Sequence, residues 1–161
     1  LDKLKVQFVE RQELLWENVT KEQLSKVAAV LLEKCKSSTV FLLEGQLGAG
    51  KTSLVQALVR VLGCQQEATS PTFTLINEYS SAERSVFHMD LYRLKNVQEA
   101  EEIGLTEYLD SGSYCFIEWP DVAGTLLIPP FYKIALEVNG PETRAIKVSL
   151  YTEENEHANH E

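Results

Sequence analysis

Three observations predict an α/β fold built on a parallel sheet. Thr39-Val40-Phe41-Leu42-Leu43 and Tyr114-Cys115-Phe116-Ile117 are short, continuously apolar runs, the pattern of strands covered on both faces. Amphipathic helical patterns lie on either side of the first run. Between that run and the second helix stands Gly45-Gln46-Leu47-Gly48-Ala49-Gly50-Lys51-Thr52, so strand, glycine-rich loop and helix follow one another directly.

Taken in chain order, Leu4-Lys5-Val6-Gln7-Phe8-Val9 alternates and reads as a strand, whereas residues 13–19 fit either type. From Thr20, apolar residues at Leu24, Val27, Ala28, Leu31, Leu32 and Cys35 follow helical spacing, and Thr20 with Gln23 forms a capping box at its start. After the glycine loop, Leu54, Val55, Leu58, Val59 and Leu62 trace a second helical face, with Gly63 as its C-terminal stop. A strand is expected over residues 73–79, a polar turn over 80–83 and a strand over 86–89. Asn96 with Glu99 caps a short acidic helix ending near Gly104, and Asp110-Ser111-Gly112-Ser113 is a turn before the strand that exits into Glu118-Trp119-Pro120. Residues 133–138 and 144–150 alternate around Asn139-Gly140-Pro141, which predicts a hairpin.

The chain of 161 residues, 44% of them hydrophobic, is sized for a single domain and has no internal repeat. One domain over 1–161 is expected, with residues 1–19 as an N-terminal extension carrying a strand and 152–161 as a solvated acidic tail. The net charge of -9 is uneven: residues 1–80 carry nine acids and nine bases, residues 81–161 fifteen acids and six bases. So acidic a second half repels phosphate backbones, which argues against independent nucleic-acid binding and makes any link to nucleic acid indirect. No apolar run approaches the roughly 18 residues of a membrane span, so no membrane association is expected. Cys35, Cys64 and Cys115 are odd in number and widely spaced, and no secretory leader is visible, so reduced thiols and a cytoplasmic location are expected.

The string from Gly45 to Thr52 fits G-x-x-x-x-G-K-[ST], in which each fixed position has a task. The glycines let successive N–H groups turn toward phosphate oxygens, and the following helix adds its positive end. Lys51 reaches the outer phosphates and the Thr52 hydroxyl binds magnesium. Magnesium also takes one or two carboxylates, and two acids stand at strand ends. Glu118 follows the apolar strand, as the metal-side acid of such a site or as a surface glutamate at a strand exit. Asp90 follows Phe87-His88-Met89, as a site acid or as a turn acid. Ser70-Pro71-Thr72 could hold a hydroxyl that senses the outer phosphate, although a proline turn is the stronger reading of these residues alone. His88 reads as a strand histidine satisfied by hydrogen bonds, Trp119 as a half-buried aromatic, and Arg93 as a charge-stabilising arginine or a salt-bridge partner. No N-K-x-D string favours guanine, and no lid or arginine cluster favours a small-molecule kinase.

In order and spacing, the glycine loop, Ser70-Pro71-Thr72-Phe73-Thr74-Leu75, His88-Met89-Asp90-Leu91-Tyr92-Arg93-Leu94 and Ile117-Glu118-Trp119-Pro120 resemble the TsaE (YjeE) ATPases over about residues 20–150. The resemblance implies a P-loop NTPase-like three-layer sandwich whose central parallel strands are flanked by antiparallel ones. It also implies an ATPase that uses ATP/ADP and Mg2+ and works with TsaD and TsaB, while TsaC makes the activated threonylcarbamoyl adenylate. Their product is the threonylcarbamoyl modification of the adenosine next to the anticodon of tRNA, with tRNA reached only through the complex and no self-association expected. By position it implies catalytic roles for Lys51, Asp90 and Glu118, and a magnesium site at Thr52 and Glu118. Nucleotide binding falls to Gly45, Gln46, Leu47, Gly48, Ala49, Gly50, Lys51, Thr52, Ser53, Thr72 and Trp119. Three positions depart from the family pattern: Gln46 where Asp or Glu is usual, Met89 for Phe, and Phe73 for Tyr.

Overall fold

The computed structural model describes residues 8–66, 68–71 and 75–154. Strand β1 (Phe8–Thr20) leads through a 3-10 turn (Lys21–Gln23) into helix α1 (Leu24–Lys34), followed by β2 (Val40–Glu44), α2 (Lys51–Val61), β3 (Ile76–Ser80) and β4 (Ser85–Asp90). Helices α3 (Val97–Glu102) and α4 (Leu105–Leu109), strand β5 (Tyr114–Glu118), a 3-10 segment (Pro120–Leu126), and strands β6 (Phe131–Val138) and β7 (Thr143–Glu153) complete the order. The seven strands form one sheet in the order β1-β7-β6-β2-β5-β4-β3. Its four central strands, β6, β2, β5 and β4, are parallel; β7 on one side and β3 on the other run antiparallel to them, and β1 pairs antiparallel with β7.

The continuously apolar strands behave as expected of a sheet buried on both faces. Phe41, Leu43 and Phe116 point to the face covered by α1 and α2, where Val27, Leu31, Leu54 and Leu58 close the core. Their neighbours Leu42, Cys115 and Ile117 point to the opposite face, against Ala100, Leu105 and Ala123 from α3, α4 and the 3-10 segment. Helices therefore cover both sides, in three layers. Phe41 stacks on Tyr132 at 5.0 Å between ring centroids, which ties β2 to β6 within the core that α1 and α2 cover. Burying a leucine as fully as Leu31 or Leu58 stabilises the fold by roughly 1.5–3 kcal/mol.

Several expectations shift at their boundaries. The stretch left open over 13–19 is strand, and it belongs to β1 together with Phe8 and Val9; the rest of the expected 4–9 strand lies outside the described residues. Register shifts between Gln12 and Leu14 and between Trp16 and Val19 break the period of two, and Asn18 takes a φ of 56° within the second. The Thr20 amide does donate to Gln23 Oε1 at 2.9 Å, but the first turn it starts is 3-10, and α1 begins at Leu24. The strand expected from 73 starts at Ile76, and residues 72–74 lie outside the described set. Helix α4 was not foreseen. Thr152 and Glu153, expected in the tail, belong to β7 and pair with Val9 and Phe8 of β1, so the strand extends beyond the predicted hairpin arm. The three cysteines are free and buried; burial pushes the Cys35 and Cys115 thiols up to about 11 and about 12, Glu13 adding to the shift of Cys35. Among the described residues no helix is long and apolar enough to cross a membrane.

Candidate active site

The glycine loop leaves β2 and enters α2 under tight steric control. A Cβ at Gly45 would lie 2.9 Å from the Leu136 carbonyl oxygen and 3.1 Å from the Ala49 Cβ, so the loop can cross β6 only with glycine there. Gly48 and Gly50 take left-handed φ values of 83° and 103°. The Ala49 amide donates to the Gln46 carbonyl at 2.9 Å and closes the turn. From β7, Arg144 braces the loop from outside: its Nε donates to the Ala49 carbonyl at 2.9 Å and its Nη2 to the Gly48 carbonyl at 3.4 Å. The amides of Lys51, Thr52 and Ser53 open α2 and have no acceptor within the helix, which makes this end a site for anions.

Lys51 is 5% exposed, and its Nζ donates to the Gly45 carbonyl at 2.8 Å while sitting 3.6 Å above the centroid of the Trp119 ring. Burial lowers its pKa from the usual lysine value, and the Glu118 and Asp90 carboxylates act in the opposite direction. Trp119 can offer its face because it takes a left-handed φ of 54° immediately after β5; its ring meets that of Tyr92 at 5.1 Å.

Parallel pairing brings the two acids together. Leu43, the penultimate residue of β2, lies beside Glu118 at the end of β5, and Glu118 lies beside Asp90 at the end of β4. The carboxyl ends of adjacent parallel strands are where open α/β sheets bind ligands. Glu118 is 4% exposed; its Oε2 accepts from the Thr52 hydroxyl at 3.5 Å and lies 2.6 Å from His88 Nε2. Asp90 is both a turn acid and a cleft acid: its Oδ1 accepts the Tyr92 amide at 3.0 Å, and the residue lines the cavity.

That cavity, about 520 Å³, is lined by Leu47, Gly48, Gly50, Lys51, Thr52, Ser53, Asp90, Glu118 and Trp119 of the expected set, with Ser70, Tyr92 and Arg93. Gly45, Gln46 and Ala49 are not on its wall. Gly45 supplies the carbonyl that holds Lys51, exposed Gln46 closes the turn, and Ala49 is buried with its amide already engaged. Thr72 lies outside the described residues. A second cavity of about 350 Å³ shares Gly50 and Ser53 with the first and adds Thr20, Lys21, Leu24, Glu142 and Arg144. Neither this cavity nor Arg144 was anticipated. No local motif marks an arginine 95 residues from the carbonyl it grips.

Among the described residues, no group of three or more His, Cys, Asp or Glu could hold a metal by protein ligands alone. The Thr52 hydroxyl beside the Glu118 carboxylate instead suits magnesium, which keeps waters and takes phosphate oxygens together with one or two protein groups.

The family profile described as "Threonylcarbamoyl adenosine biosynthesis protein TsaE" matches residues 18–146, a span that contains the glycine loop, both acids and Arg144. This chain belongs to the TsaE family. Curated TsaE proteins from Bacillus subtilis (strain 168) and Rickettsia conorii are 33% and 34% identical over 135 and 137 residues. Each alignment covers 84% of this chain and, respectively, 84% and 78% of the relative. The crystal structure of Bacillus subtilis YdiB superposes with a TM-score of 0.67 at 27% identity, covering 93% of this chain and 91% of the other. The TsaE family serves tRNA threonylcarbamoyladenosine biosynthesis, and the YdiB match agrees with a P-loop NTPase-like arrangement of the sheet.

Proposed function

We propose that this chain is a magnesium-dependent ATPase that acts with TsaD and TsaB in the threonylcarbamoyl modification of the adenosine next to the anticodon of tRNA. The observation that carries the reading is the meeting in one cleft of Lys51 and Thr52, at the α2 N-terminus, with Glu118 and Asp90, at the ends of neighbouring strands. The phosphates of ATP fit the first cavity, against the amides of Lys51, Thr52 and Ser53. The shared wall at Gly50 and Ser53 lets ribose and base continue into the second cavity. Lys51 moves from the Gly45 carbonyl to the outer phosphates, an exchange of one acceptor for a more strongly charged one. Thr52 and Glu118 are the residues that would hold magnesium, and when bound it neutralises charge on the phosphate oxygens. Asp90 and Glu118 orient the attacking water, and the cytoplasm is the proposed compartment.

The resting contact of Lys51 with Trp119 and Gly45 also favours a second reading, a nucleotide-dependent switch in which hydrolysis is incidental, because binding must break that contact. Magnesium-dependent ATP hydrolysis by the chain alone and with purified TsaD and TsaB tests both, with Lys51→Ala as the blank. Slow turnover that the pair stimulates and Lys51→Ala abolishes is the expected result. Full activity in Lys51→Ala would overturn the loop assignment. Asp90→Ala and Glu118→Ala variants that still support tRNA modification would favour the switch.

A further inference from the structure

We propose that His88 is a positioning residue for Glu118, holding one carboxylate oxygen so that the other stays available to a magnesium-bound nucleotide. His88 lies in β4 with no exposure to solvent, one strand over from Phe116 in register, and its Nε2 is 2.6 Å from Glu118 Oε2. Its Nδ1 is buried without a hydrogen-bond partner among the described residues. A half-satisfied imidazole is a poor choice for packing alone, since an apolar side chain of similar volume would leave no polar atom stranded. A proton on Nδ1 would have no acceptor there, so the ring carries it on Nε2 and donates to Glu118.

The Thr52 hydroxyl donates to the same oxygen at 3.5 Å. Both donors converge on Oε2, and Oε1 is the oxygen that remains. The anchor also has an opponent. Glu118 and the Lys51 ammonium line the same cavity, and a carboxylate released from His88 is free to swing toward that charge across the phosphate site. His88 thus keeps apart two groups that the chemistry needs separate.

The inference rests on the nucleotide-binding reading above, and its test separates the two. His88 is the single histidine ahead of His157 and His160, so its ring nitrogens can be assigned by NMR of 15N-labelled protein against His88→Gln. The expected spectrum shows the Nε2-protonated tautomer, with the Nε2 resonance shifting in Glu118→Gln. A wild-type ring with its proton on Nδ1 alone overturns the proposal whether or not any variant folds, and so does an Nε2 resonance indifferent to Glu118→Gln in the folded variant. In parallel, His88→Leu, with folding checked by thermal melting, should need roughly 10- to 100-fold more magnesium to bind ATP, or lose kcat by that factor at unchanged KM. His88→Gln, which keeps an N–H near the Nε2 position, should recover most of it. A folded His88→Leu with wild-type magnesium dependence and kcat overturns the proposal. Wild-type protein that neither binds nor hydrolyses ATP defeats the nucleotide reading instead, and the tautomer and its response to Glu118 still decide the contact.

Discussion

Replacing Gly45 by alanine isolates the steric origin of the glycine loop. The added Cβ would meet the Leu136 backbone oxygen at 2.9 Å and the Ala49 Cβ at 3.1 Å, and neither neighbour is the end of a flexible side chain. Relief requires β2 and β6 to separate at their carboxyl ends, or the loop to lift. Overpacking of this kind costs roughly 1–3 kcal/mol, against a gain of roughly 0.4–1 kcal/mol from a less flexible unfolded chain. The net loss should lower Tm by several degrees, at roughly 2–4 °C per kcal/mol for a chain this long. Gly112→Ala is the matched control: nothing lies within 4 Å of its Cβ, and its penalty comes only from a left-handed φ of 78°. Thermal unfolding followed by circular dichroism, with ADP titrated calorimetrically into each variant, should show loss of stability in both and loss of ADP affinity in Gly45→Ala alone. Gly45→Ala with wild-type Tm and ADP affinity would refute the close approach of loop and strand.

Arg144→Gln removes the guanidinium that grips the Gly48 and Ala49 carbonyls, and ADP affinity should fall roughly tenfold, about 1.4 kcal/mol; an unchanged Kd would reject the brace. The Cys35 and Cys115 thiols are pushed up from 9.0 to about 11 and about 12, so above pH 9 the unfolded chain loses protons that the folded chain retains. Their contribution to stability is complete below pH 9 and declines as pH rises through 11 and 12, which urea midpoints at pH 8 and pH 10 would register as a decrease. The same thiols should resist alkylation at pH 9 until the protein is unfolded.

The glycine loop was legible because its information is local. Glycines at fixed spacing, one lysine and one hydroxyl act through a backbone turn that spans eight residues. Glu118 and Asp90 were legible as acids ending strands, because continuous apolar runs betray strands buried on both faces and a polar residue marks where each run leaves the core. Strand β1 was harder to read, since two register shifts scramble the alternation on which strand recognition depends. The short helix α4 spans only Leu105–Leu109, too few residues to show a period.

Contacts across the sheet had no such signature. That His88 would meet Glu118 depends on β4 and β5 running parallel in one register, and that Arg144 would reach Gly48 and Ala49 depends on β7 lying beyond β6. The sequence alone determined the α/β class, the glycine loop and the acids at the strand ends, because short-range backbone geometry and hydrophobic period encode them. Only the tertiary structure decided which oxygen of Glu118 is held, where Lys51 rests and what braces the loop, because those depend on strand order and register, set by packing between residues far apart in the chain.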